Sequence, residues 1–212
     1  MKSKKIGISL RIVEASNYKE KRDALSHDWI KFLEPLDIIP ILIPNNLKNV
    51  NLFLEEMKLE GVILSGGDNI GDDTLRDKTE EKIIQFSIKN KIPIFGVCRG
   101  MQVINQFFNG KIEKSTESNH VGKRHSIKIS NKDFEFLKTS HDVNSFHNNI
   151  ILQEGLGRNL EPFAIVDDGT IEGIFHKEYP IIGVMWHPER DQNSSNKEML
   201  RKAFYEKNFW VE

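Results

Sequence analysis

The residue best placed to do chemistry in this chain is Cys98, the single cysteine among 212 residues. It lies in Gly96-Val97-Cys98-Arg99-Gly100, after the apolar run Ile92–Val97 and before a segment of helical spacing. A residue between a strand end and a helix start must turn sharply. Glycines two positions to either side let the neighbouring backbones approach. This is the plan of a nucleophile elbow with sulfur in place of oxygen. A helix N-terminus carries partial positive charge and free N–H groups, which favour thiolate over thiol. The N–H of Arg99 would face the same place and act as one oxyanion donor. Without that setting, a lone cysteine reads as a small buried apolar residue.

A thiol nucleophile needs a base, and the histidines are His27, His120, His125, His141, His147, His176 and His187. His187 follows the apolar run Ile181–Trp186 and precedes Pro188 and Glu189. Proline biases the residue before it towards extended backbone. In an extended tripeptide the first and third side chains project to the same side. Glu189 can then accept from the His187 Nδ1–H, leaving Nε2 for the thiol, the base-and-orienter arrangement of a triad. His27 falls on a helical face, His120 and His125 in a polar stretch (Asn119–His125) that reads as a loop, and His176 at a strand end. No His-Glu-x-x-His or comparable spacing occurs, so neither a metal nor a cofactor is expected.

The elements that must position these residues read as an alternation. Strands are expected at Lys5–Leu10, Ile38–Ile43, Gly61–Leu64 and Ile92–Val97. Helices are expected at Lys19–Leu36, Leu52–Met57, Thr74–Lys89 and Met101–Phe108. The second half predicts strands at Ser126–Ser130, Phe163–Val166, Ile171–Phe175 and Ile181–Trp186, forming an antiparallel extension, then a closing helix over Lys197–Phe209. The fold class is α/β: a mostly parallel central sheet flanked by helices, in one domain spanning 1–212. Sites in such sheets lie at the C-terminal ends of strands. Thirty basic residues against thirty-one acidic leave no basic surplus, so no nucleic-acid or membrane partner is expected. No apolar run reaches a membrane span of roughly 18 residues. A single cysteine excludes an internal disulfide framework and fits a reducing cytoplasm.

Gly96–Gln102 and Trp186-His187-Pro188-Glu189, with Leu64-Ser65-Gly66-Gly67-Asp68 and Val143-Asn144-Ser145-Phe146-His147 in the same order, resemble the class I glutamine amidotransferase domain, of flavodoxin-like architecture. The resemblance runs from about Lys5 to Phe204. It implies Cys98 as nucleophile, His187 as acid/base and Glu189 as its orienter. It also implies a second oxyanion N–H from the turn matched by Gly66 and Gly67. Gln102 matches a position holding the glutamyl moiety. Ser145, Phe146 and His147 match a segment whose backbone groups bind the α-amino and α-carboxylate ends.

Arg99 after the cysteine, with a Val-Asn-Ser-x-His segment, is similar to the γ-glutamyl hydrolase branch, which includes γ-glutamyl-γ-aminobutyrate hydrolases. Ammonia-feeding domains commonly have an apolar or aromatic residue there. The chain is shorter than those hydrolases and has Asn148 where they often have a second histidine. Small stand-alone members of similar length accompany capsule pathways, some releasing glutamate from a γ-glutamyl-CDP-amidate. The opening, with Arg11, Tyr18, Arg22 and Trp29, is similar to that group. The resemblance implies a small-molecule γ-glutamyl substrate, a γ-glutamyl thioester on Cys98, and a monomer or homodimer. Two alternatives stay open: a glutaminase subunit feeding a synthase partner, and a non-enzymatic binding or regulatory member. The side chains of Arg99, Lys123 and Arg124 are expected as solvated surface charge, the other use being to face an anionic leaving group.

Overall fold

The computed structural model describes residues 2–115, 121–139, 142–207 and 209–210. His120 and His141 fall outside them. The strands are β1 (Lys4–Ser9), β2 (Arg11–Glu14), β3 (Lys21–Ala24), β4 (Ile38–Ile43), β5 (Gly61–Leu64), β6 (Ile94–Val97) and β7 (Glu113–Lys114). They continue as β8 (Val121–Ser126), β9 (Lys128–Ile129), β10 (Asp142–Phe146), β11 (Asn149–Ile150), β12 (Leu160–Ile165), β13 (Ile171–His176) and β14 (Ile181–Val184). The helices are α1 (His27–Leu33), α2 (Val50–Met57), α3 (Thr74–Asn90), α4 (Arg99–Phe107) and α5 (Ser194–Arg201).

The main sheet has the order β4-β1-β5-β6-β14-β13-β12-β9. Strands β4, β1, β5, β6 and β14 run parallel, and β13, β12 and β9 continue antiparallel. Side chains alternate between the two faces of each strand. Phe95, Val97, Ile182 and Val184 pack under Trp29 and Phe32 of α1 and Met199 and Leu200 of α5. On the other face Ile94 and Leu64 pack with Leu54 of α2, Ile83 and Ile84 of α3, and Met101 and Ile104 of α4. This is the mostly parallel, doubly covered α/β sheet that the sequence predicts.

Several expected elements differ. Ile181–Val184 belongs to the parallel half, paired with β6 in the register Val97↔Val184, rather than to an antiparallel extension alone. Both chain exits therefore lie at the same sheet end, which brings residues some 90 positions apart into one place. The helix expected over Lys19–Leu36 is instead the strand β3, paired with β2, followed by the short α1. Lys19–Ala24 offers a helix little to bury, and the Ser26 side chain caps α1 by accepting from Asp28 N. Asp37, in left-handed backbone, ends the 3₁₀ turn that follows. The polar stretch up to His125 is strand β8 from Val121, paired with β10, not a loop. The closing helix begins at Ser194, where the Asn193 side chain caps it, and ends in a π turn, Lys202–Glu206. Among the described residues no helix is long and apolar enough to cross a membrane.

Helix α4 approaches β5 so closely that a Cβ on Gly100 would lie 2.1 Å from the Leu64 carbonyl oxygen. Backbone on both sides leaves little room to relax. Gly100→Ala should lower stability by about 1–3 kcal/mol, the usual cost of overpacking, as a fall in urea midpoint. An unchanged midpoint would contradict this close approach.

Candidate active site

Cys98 joins β6 to α4 with φ 51° and ψ −106°, outside the small left-handed well open to side-chain-bearing residues. Its N–H donates to the Val184 carbonyl at 2.7 Å, and its own carbonyl accepts from Gln102 N at 3.1 Å. The flanking glycines let this bend pack. A Cβ on Gly96 would stand 2.8 Å from the backbone of both Gly100 and Met101. As the first residue of α4, Arg99 has an N–H with no intrahelical acceptor.

The parallel neighbour β14 delivers His187 to the same sheet end. Its ring lies beside the Cys98 side chain on one side and meets Glu189 Oε1 through Nδ1 at 2.8 Å on the other. All three residues are buried. Burial would lower the His187 pKa, but the interactions with Cys98 and Glu189 more than offset it, raising it to about 9. The imidazolium form is therefore favoured at neutral pH. Gly66 closes the site: a Cβ there would lie 2.8 Å from His187 Cε1 and 3.6 Å from Cys98 Cβ. Gly67 follows with φ 115°.

The His187 backbone is fixed by a residue to which the sequence reading gave no role. Asn144 of β10 donates to the His187 carbonyl and accepts from its N–H, both at 2.9 Å. Phe146 sets its ring edge-on to His187, centroids 5.9 Å apart. Ser145 is fully buried. His147 turns its imidazole towards Glu172 rather than His187. Gln102 is buried, not on the helix surface, with Asn149 Nδ2 3.4 Å from its Oε1. A cleft of about 60 Å³ beside His187 is lined by Arg11, Trp29, Gly66, Gly67, Glu189 and Arg190 among others. A wider groove of about 330 Å³ shares Arg190 with it and adds Lys123, Arg124, Asn144, Phe146 and Asp191.

Arg99 corrects an expectation. Its guanidinium is buried and paired with Glu80 and Asp77 of α3, neither solvated nor facing the cleft. Glu80 also accepts from Ser9 Oγ at 2.8 Å and Arg76 Nε at 3.0 Å. Arg76 in turn donates to the carbonyls of Ser65 and Gly66 at 2.8 and 2.9 Å. One buried carboxylate thus ties the elbow helix to the glycine turn. The available signal was Arg76 and Glu80 on the same helical face as Ile83, where the period calls for apolar residues. Lys123 and Arg124 are exposed, as expected, and both line the wider groove.

Removing Glu80 would leave two buried guanidinium groups undercompensated. Glu80→Ala should cost about 3–5 kcal/mol of stability, measured by chemical denaturation. A loss below about 1 kcal/mol, the range of surface ion pairs, would show that the network does not hold the turn.

Residues 19–207 match the glutamine amidotransferase class-I family. The chain is 34% identical to a γ-glutamyl-CDP-amidate hydrolase of Campylobacter jejuni, over 94% of this chain and 96% of that protein. It is 32% identical to anthranilate synthase component 2 of Cyanophora paradoxa, over 84% of this chain and 92% of that one. Among solved structures, a Thermoplasma acidophilum protein superimposes with a TM-score of 0.73 at 21% identity, covering 96% of this chain and 94% of its own, a likeness of fold. With its family match running from the first hairpin to the last helix, this chain belongs to the class-I glutamine amidotransferase family.

Proposed function

We propose that this chain hydrolyses a γ-glutamyl amide bond, with Cys98 as nucleophile, His187 as acid and base, and Glu189 as the orienter of His187. The observation that carries this reading is the His187 ring, placed beside the Cys98 side chain at the elbow and hydrogen-bonded to Glu189 behind it. The thiolate attacks the γ-carbonyl carbon, and the carbonyl electron pair moves onto oxygen. The N–H groups of Gly67 and Arg99 stabilise that oxyanion, a contribution of roughly 3–4 kcal/mol per donor in comparable sites. Collapse expels the amine, which takes its proton from the His187 imidazolium. Water, deprotonated by His187, then cleaves the γ-glutamyl thioester and releases glutamate and the thiolate. Gln102 and the backbone of Ser145, Phe146 and His147 would hold the glutamyl end.

The charge beside the cleft favours an anionic leaving group. Lys123, Arg124 and Arg190 line the wider groove against one carboxylate, Asp191, which pairs with Arg124 at 2.8 Å. Arg190 stacks over Phe146 at 4.5 Å, between groove and cleft. A nucleoside diphosphate amidate, as in the name of the Campylobacter relative, has the size and charge for such a groove. That substrate brings with it the place in capsule assembly that the resemblance implies. A second reading, a glutaminase subunit delivering ammonia to a synthase, is favoured by the likeness to anthranilate synthase component 2.

Glutamate release from glutamine, γ-glutamyl-aminobutyrate and a γ-glutamyl nucleotide amidate separates these readings. The proposal expects the nucleotide amidate to show the highest kcat/KM, by about tenfold or more, equivalent to a single well-placed charge contact of roughly 1.4 kcal/mol. Arg190→Ala should erase that preference while leaving glutamine turnover near its original rate. Preferred hydrolysis of glutamine, rising when a synthase is added, would support the second reading and overturn the first.

A further inference from the structure

His125 on β8, His147 just beyond β10 and Glu172 on β13 converge, with their ligand atoms all within 4.8 Å of one another. Glu172 has no exposed surface, and neither of its carboxylate oxygens accepts a hydrogen bond among the described residues. His125 Nε2 stands 3.4 Å from Oε2, and His147 Nε2 stands 3.3 Å from Oε1. Charge-assisted N–H···O bonds are shorter, about 2.7–2.9 Å. By contrast, bonds of about 2.0–2.2 Å to a tetrahedral ion place its ligand atoms roughly 3.3–3.6 Å apart.

The tautomer of His147 sharpens the point. Its Nδ1 lies 2.9 Å from the Asn149 carbonyl oxygen, which can only accept, so Nδ1 carries the hydrogen. In the neutral ring, Nε2 then presents a lone pair to a carboxylate oxygen that is also an acceptor. Two facing lone pairs need positive charge between them. A single divalent ion serves both oxygens and both rings. The Nδ1–H···O=C bond is also the usual outer-shell device that orients a metal-binding histidine.

We propose that His125, His147 and Glu172 form a binding site for a divalent transition-metal ion, of which Zn²⁺ is the type for imidazole and carboxylate ligands without sulfur. The ion would clamp the β8–β10 hairpin, which carries Asn144 and Phe146 against His187, onto β13 of the main sheet. The inference is independent of the proposed reaction. The histidines and Glu172 come from separate segments with no ligand spacing in sequence, which is why reading the chain alone predicts no metal.

The test uses the full chain, stripped with a chelator, dialysed, and titrated with Zn²⁺ by calorimetry and with Co²⁺ by visible absorption. The proposal expects equimolar binding and the ligand-field bands of four-coordinate Co²⁺ without a sulfur charge-transfer band. Both should persist in Cys98→Ala, which removes the competing thiol. Affinity should fall about tenfold or more, at least the effect of losing an outer-shell partner, in Glu172→Gln and in the more peripheral His125→Gln, each checked for native circular dichroism. Zn²⁺ should raise the melting temperature of the wild type and not of those variants. Absence of equimolar binding to the wild type would overturn the site. So would binding that Cys98→Ala abolishes or that both ligand variants retain.

Discussion

Cys98 holds a backbone conformation that a residue with a side chain adopts at a cost of about 1–3 kcal/mol. Its φ of 51° and ψ of −106° persist because the surroundings leave no alternative. Strand β6 is fixed on both edges by β5 and β14, and the Cys98 N–H is held by Val184. Helix α4 is pressed against Leu64 at Gly100. The bend aims the sulfur off the end of the sheet and puts the N-terminus of α4 behind it. The register of β14 sets where the imidazole arrives, and Asn144 fixes its backbone. The glutamine amidotransferase class-I fold thus turns one strained residue into a meeting point for two chain exits.

Behind that bend the structure uses charge where an apolar core would pack more simply. Glu80 joins Ser9, Arg76 and Arg99, and Arg76 carries the connection to the Ser65-Gly66 carbonyls. A buried ion cluster is seldom a net gain in stability over well-packed hydrophobic residues, but it fixes direction. Here two guanidinium groups with fixed fork geometry orient the elbow helix and the glycine turn relative to each other. Those elements carry the two N–H groups proposed for the oxyanion. Arginine after the cysteine is therefore an anchor pointing inward, and its charge does not face the cleft beside His187.

What could be read from the chain was whatever is local. The strand–Cys98–helix junction needed only the flanking glycines and the apolar run before it. The contact between His187 and Glu189 was expected from an extended tripeptide; it forms instead across a turn in which the Arg190 N–H donates to the His187 carbonyl at 3.1 Å. Four elements of the first half were legible nearly to the residue, because buried parallel strands are continuous apolar runs. The β2–β3 hairpin was missed because Leu25, Trp29, Phe32, Leu33 and Leu36 already make a helical pattern, which was extended backwards across residues with nothing to bury. Asn144, Glu80 and Glu172 act through partners on other strands and helices, and no spacing within one segment encodes such contacts. The parallel pairing of β14 with β6 was likewise hidden, since an apolar strand reads the same in either direction.

The proposed reaction requires the sulfur of Cys98 to carry the glutamyl group during turnover. Rapid acid quenching of the enzyme with a γ-glutamyl substrate, followed by intact-mass and peptide mass analysis, tests it most directly. The expected result is an adduct of one glutamyl group on the peptide containing Cys98, formed before steady-state glutamate release and discharged by hydroxylamine. Steady glutamate release with no adduct at any quench time, continuing at the wild-type rate in Cys98→Ser, would contradict it.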